Sequence, residues 1–222
     1  ELRGIQRGPP KSASSFARVQ STVWEIVWAE QAQSAMFFVT MFVVGIGTTL
    51  VEGLVFLFWT EELGASNFLC GLSVLVTVSL EIPLFHYSET LLTVFNHHTL
   101  IVLGGLSYVL RVVCYTLFAD PWWILAVEPL HGVTFAFVQL GAVHYAATLA
   151  PEGLETSTQG LATTARSIGS ISGTFVGGIV MQHYGSIVLY RGAALLVLVS
   201  VSLYGLLSAR HSEARAAAEA SR

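Results

Sequence analysis

Six ionisable side chains interrupt stretches that are otherwise apolar: Glu52, Glu81, Arg111, Glu128, His131 and Arg166. A charge at mid-bilayer costs a few kcal/mol at least, about 2.5–3.5 on insertion scales, so by default it marks a functional site. Three carboxylates and two guanidiniums are able to pair with one another, the condition under which buried charge is tolerated. The chemistry open to such a set is proton exchange. A carboxyl group gains or loses a proton as a cationic partner releases or captures it. The bland alternative is a set of structural ion pairs that lock helices together.

Spacing sharpens this. At about 100° per residue, Gln139 falls within about 20° of Glu128, with His131 one step to the side. His144 points the opposite way. Gln159, Arg166 and Gly173 share a heptad line, and Gly104, Ser107, Tyr108, Arg111 and Tyr115 share a face. Cys70, Thr77 and Glu81 align, with a kink expected at Pro83, and Thr48 aligns with Glu52. One polar stripe per segment predicts helices that surround a wet cavity. Gly169, Gly173 and Gly177 form a GxxxGxxxG ladder, which predicts close contact with another helix. His86, His97 and His98 gather near one loop. Histidine is a common metal ligand. No carboxylate or cysteine sits beside these three at ligand spacing, so the reading is a solvated interfacial cluster and no metal. No GxSxG, HExxH or P-loop pattern is present, so neither an enzyme nor a cofactor is expected.

The elements that must position these residues follow from composition. The 222 residues are 54% hydrophobic and 11% charged, whereas a soluble domain carries about 25% charged residues. The deficit predicts a surface that faces lipid. A formal charge of −4 without basic stripes gives no nucleic-acid signal. Cys70 and Cys114 lie in apolar runs and read as small buried hydrophobes.

Six apolar stretches cover residues 34–59, 67–86, 99–118, 122–149, 156–181 and 187–208. Each reaches the roughly 20 residues that cross a hydrocarbon core about 30 Å thick. The expected fold is an all-α membrane protein, a six-transmembrane-helix bundle over residues 34–208. Residues 1–33 read as a cytoplasmic linker, with an interfacial segment marked by Trp24, Val27 and Trp28. Residues 209–222 read as a cytoplasmic tail. Arg3, Arg7, Lys11 and Arg18 on one tail and Arg210, Arg215 and Arg222 on the other face only Arg191 on the opposite side. The positive-inside rule therefore puts both tails in the cytoplasm. In that frame Glu52, Arg111, Glu128 and His131 fall between midplane and outer face, and Glu81 and Arg166 between midplane and inner face. The chain opens on Glu1, so it is expected to be one part of a larger protein.

Several strings in order carry a family resemblance. They are EELGAS at Glu61 to Ser66, GLSVLVTVSLEIP at Gly71 to Pro83 and PWWILAVEPLHG at Pro121 to Gly132. STQGL at Ser157 to Leu161 and YRG at Tyr190 to Gly192 complete the set. The sequence resembles the lactose-permease-like branch of the major facilitator superfamily. Within that branch it resembles the animal group of major facilitator superfamily domain-containing protein six and its paralogue. The resemblance implies the C-terminal six-helix bundle of a twelve-helix transporter, whose N-terminal six-helix half is absent from this chain. It also implies that the glycine ladder lies on a helix that rocks during gating. By helix position, Glu81, Arg111, Glu128 and His131 correspond to the permease's sugar- and proton-handling carboxylate, arginine and His/Glu pair. Here Glu128 precedes His131, the reverse of the permease order, and residues 88–98 contain no Lys or Arg where the superfamily carries a basic loop motif.

The resulting expectation is half of a secondary active transporter, a proton-coupled symporter in a plasma membrane or endomembrane. It would move a small polar solute by alternating access along Glu52, Glu81, Arg111, Glu128, His131, Gln139 and Arg166. Its partners would be that solute, protons and the lipid bilayer. Sugar, amine and organic anion stay open as solutes. The alternatives are a non-transporting receptor or scaffold that keeps the fold, and an intramembrane metalloenzyme that uses the histidines.

Overall fold

The computed structural model describes residues 32–220. The linker and interfacial readings built on Trp24, Val27 and Trp28 lie outside the described residues. Helix α1 (Ala32–Glu52) is followed, after a break at Gly53 and Leu54, by α2 (Val55–Glu61). Next come α3 (Asn67–His86), the short α4 (Ser88–Val94) and α5 (His97–Tyr115). A 3-10 turn (Pro121–Trp123) leads into α6 (Ile124–Val127) and α7 (Pro129–Leu149), and α8 (Glu155–Tyr184) and α9 (Ser186–Ala220) complete the bundle.

Local chemistry sets the starts. Ser66 caps α3 by accepting from the Leu69 N–H at 3.2 Å, and Asn96 caps α5 by accepting from the Thr99 N–H at 2.7 Å. Asp120 accepts from the Trp122 N–H at 3.0 Å, with Pro121 pre-set in the first turn. Gly185, at φ 83°, makes the tight turn from α8 into α9, a conformation that glycine adopts without steric cost.

Five stretches are long and apolar enough to cross a membrane: Ala32–Glu61, Asn67–His86, His97–Tyr115, Pro121–Leu149 and Ser186–Glu219. The chain is an all-α integral membrane protein. The fifth expected span behaves differently. Helix α8 has 30 residues, roughly 45 Å at about 1.5 Å per residue. It is rich in Ser, Thr and Gly, so it has the length of a membrane span without the apolarity and is not among the five. The second span has the bounds read from hydropathy. The last helix instead continues past Ser208 to Ala220, so the described part of the expected tail is helical.

Chain direction alternates from span to span. Helix α1 packs along α8, α5 along α7, and α9 against both α1 and α5, while α3 lies on α7. Buried apolar residues gather at the two ends of the bundle. One cluster holds Phe58, Trp59, Tyr108, Tyr115, Ile124 and Tyr190. The other holds Phe37, Met41, Ile101, Val138, Tyr145 and Tyr204.

The α1–α8 seam is made of small residues. Gly169, Gly173 and Gly177 are buried against α1. A Cβ on Gly169 would lie 2.0 Å from the Phe42 carbonyl oxygen, and one on Gly45 would lie 2.0 Å from that of Arg166. Ser170 Oγ donates across the seam to the Gly45 carbonyl at 3.2 Å.

Candidate functional site

Two of the carboxyl groups stand where helices break. Glu52 closes α1 just before the Gly53–Leu54 interruption. Glu128 joins α6 to α7, and the following Pro129 has no N–H to continue the backbone ladder. Breaks of this kind are tolerated at membrane depth where they are buried in protein or line a cavity.

Glu52, Glu81, Arg111, Glu128 and His131 line one cavity of about 250 Å³, together with Trp59, Thr77 and Tyr115. Glu81, expected nearer the inner face with Arg166, lies instead with the other four. Arg111 and Glu128 are almost fully buried, at 2% and 4% exposure. Glu128 is held by hydroxyls. Thr77 donates to its Oε2 at 2.8 Å, and Tyr115 donates to its Oε1. His131 accepts through Nδ1 from Arg111 Nη1. Arginine has no lone pair to offer, so that contact makes Nδ1 the bare nitrogen. The other ring nitrogen, Nε2, lies 3.7 Å from Glu52 Oε1. The Arg111 guanidinium also sits 5.8 Å from the Tyr108 ring and 5.7 Å from the Tyr115 ring, within cation–π range.

This differs from the expected guanidinium–carboxylate pairing. Among the described residues, the Glu52 carboxylate approaches the neutral imidazole of His131, and neither Arg111 nor Arg166 is paired with a carboxylate. The physical reason lies in the neighbours. Two hydroxyl donors already occupy the Glu128 oxygens, and histidine and aromatic faces take the Arg111 cation. Tyr115 and Trp59 had no assigned role in the sequence reading. Tyr115 lies one turn after Arg111 on the same face, which was its only signal.

Arg166 and Gln139 line a second cavity of about 190 Å³, with Met41, Gln159 and Thr163. Arg166 Nη1 donates to Gln139 Oε1 at 3.3 Å, and its guanidinium lies 5.9 Å from the Phe135 ring. The stripe of Glu128, His131 and Gln139 thus serves two cavities rather than one. Between them is a space of about 10 Å³ bordered by Thr48, Glu52, His131, Phe135, Val138 and Arg166. That is room for about one water. Glu52 and His131 border the first cavity and the constriction, and Arg166 borders the constriction and the second cavity.

The histidines near the loop divide. His86 stacks edge-on against Tyr87. His97 lies flat on the Tyr145 ring at 4.9 Å. His98 takes a hydrogen bond from the Gln33 amide at 2.8 Å and lies 2.6 Å from the Tyr204 hydroxyl. The pair therefore ties the start of α1 to α5, α7 and α9 rather than standing in solvent. Among the described residues, no three His, Cys, Asp or Glu side chains are arranged to hold a metal ion.

Comparison with known proteins agrees with this architecture. A model of the MFS_1 like family matches residues 4–192. The Xenopus laevis protein "Major facilitator superfamily domain-containing protein 6-like protein A" is 27% identical over 168 residues, which cover 74% of this chain and 27% of that relative. The mouse protein "Major facilitator superfamily domain-containing protein 6-like" is 29% identical over 170 residues, covering 74% of this chain and 28% of its own length. The matched segment thus spans little more than a quarter of these curated relatives.

Proposed function

The chain belongs to the MFS_1 like family, and from that premise we propose that it forms the C-terminal six-helix half of a proton-coupled solute carrier. The observation that carries this is the pair of cavities flanking a one-water space, with Glu52 and His131 shared on one side of it and Arg166 on the other. A solute occupies the larger cavity between this bundle and an N-terminal half supplied by the rest of the protein. The constriction passes protons and stops the solute, and rocking along the glycine seam moves it.

Both tails lie in the cytoplasm in this reading, residues 1–33 form the central linker and residues 34–208 the bundle. Glu128 is the proton-carrying group. As a carboxylate it accepts from Thr77 and Tyr115. Once protonated it donates from one of those oxygens, so Thr77 or Tyr115 must turn its hydroxyl to accept there, which rearranges the contacts holding α3 and α5 to the α6–α7 junction. Protonation is thereby coupled to helix packing, which is what a shift between outward- and inward-facing states requires. The chemistry is displacement of protons and solute, not covalent change.

The test is uptake by the full-length protein in proteoliposomes, with and without a pH gradient. Glu128→Gln is expected to abolish gradient-driven uptake while solute exchange across the bilayer continues. Active uptake by that variant at the wild-type rate would remove Glu128 from the proton path. A receptor or scaffold would show no uptake in either protein.

A further inference from the structure

The larger cavity carries a set of unused donors. Arg111 is 2% exposed and Trp59 is 2% exposed, and both line the cavity. Arg111 spends Nη1 on His131. Its Nε and Nη2 atoms, and the indole Nε1 of Trp59, have no hydrogen-bond partner among the described residues. A buried donor left without a partner costs about 1–3 kcal/mol, and more when it is charged. Nε and Nη2 together form the side edge of the guanidinium. That edge offers two parallel N–H bonds to a carboxylate, a geometry that lysine cannot supply.

The rest of the cavity is the opposite in kind. Glu52 and Glu81 border the same space, and their oxygens only accept when ionised. Three carboxyl groups border this space with one guanidinium, so a ligand with acceptors alone meets more oxygens than donors. A ligand that satisfies both ends presents an acceptor fork to Arg111 and Trp59 and a cationic donor to Glu52 and Glu81.

We propose that the solute is a small zwitterion, a carboxylate joined to an ammonium group by a short apolar linker. Its carboxylate takes the Nε/Nη2 edge of Arg111 beside the Trp59 N–H, donors that the cavity wall covers in this structure and uncovers to admit it, and its ammonium faces Glu81 and Glu52. This rests on the carrier reading above and names the solute class for that same cavity. The linker crosses the apolar wall formed by Val55, Val74 and Val78.

The experiment uses the full-length protein, three probes of similar size, 4-aminobutyrate, butyrate and n-butylamine, and a larger neutral polar one, methyl galactoside. Glycine and 6-aminohexanoate vary the separation of the charges. Ligand-induced thermal stabilisation gives binding, and labelled uptake into liposomes gives transport. At least one amino acid of the series is expected to bind about ten-fold or more tightly than butyrate or butylamine, the factor that one charged hydrogen bond supplies. Arg111→Lys should erase that preference while leaving the weak binding of butylamine unchanged. Trp59→Phe, which keeps an apolar ring, should weaken the amino acid by a smaller factor and confirms the site should Arg111→Lys not fold. Butyrate, butylamine or the galactoside binding as tightly as every amino acid would overturn the zwitterion assignment. So would a wild-type protein that binds none of the series. In either case, pH-driven uptake of any other solute would leave the carrier reading standing, and no uptake of any solute would remove both.

Discussion

At the scale of single residues, the decisive contacts are hydroxyl to carboxylate. Glu128 sits almost wholly buried, with one oxygen on Thr77 and the other on Tyr115. Tyr115→Phe keeps the ring against Trp59, whose centroid lies 5.4 Å away, and removes only the donor. The expected cost is about 1–3 kcal/mol of stability, read as a lowered unfolding temperature of the purified protein. Because Thr77 serves the same carboxylate, Thr77→Val combined with Tyr115→Phe should depart from additivity. Strictly additive losses would mean that the two hydroxyls do not share Glu128. The sequence displayed the charged residues themselves, since a lone Glu or Arg in an apolar run is conspicuous. It did not display who holds them. Thr77, Tyr115 and Glu128 come from three different helices, and their meeting depends on helix crossings that no single-helix periodicity encodes.

At the scale of elements, the α1–α8 seam makes an unusually sharp forecast. A methyl added to Gly169 meets backbone, 2.0 Å from the Phe42 carbonyl oxygen. Backbone cannot rotate aside, so Gly169→Ala must push α8 away from α1. Overpacking of this kind costs about 1–3 kcal/mol or more. A methyl added to Gly178, on the same helix, meets nothing within 4 Å. There the change should be neutral or stabilising by up to about 1 kcal/mol, because alanine loses less entropy in a helix. Thermal unfolding of the two variants side by side checks this, and equal effects would refute the seam. The glycine spacing was visible in the sequence, but the partner was not. Gly45 on α1 answers the ladder from outside it. Hydropathy gave the bounds of α3, yet it was blind to the interruptions at Gly53 and at Glu128–Pro129. A window average smooths over a single break, and α8 falls short of membrane hydropathy because small residues, not large apolar ones, make its contacts.

At the scale of the whole molecule, two cavities flank a gap that has room for about one water. Phe135 borders that gap, packs edge-on against Phe85 with centroids 5.9 Å apart, and lies beneath the Arg166 guanidinium. Phe135→Ala should widen the gap without touching Glu128. Liposomes carrying this variant are expected to leak protons in the absence of solute, measured with an internal pH dye, while wild-type liposomes stay tight. A tight variant would move the barrier elsewhere. The run of membrane-length helices could be read from the sequence because bilayer thickness sets how long an apolar stretch must be, although five of the six expected spans, among the described residues, meet both length and apolarity. The division of the interior into two chambers could not, because it follows from the volumes of Phe135, Val138 and Thr48 where helices cross.

Helix α9 runs unbroken through 35 residues to Ala220, roughly 52 Å at about 1.5 Å per residue, against a hydrocarbon core of about 30 Å. Its final turns must therefore stand clear of the lipid as a stiff extension of a span that also packs on α1 and α5. Any tilt of that span is magnified at the far end.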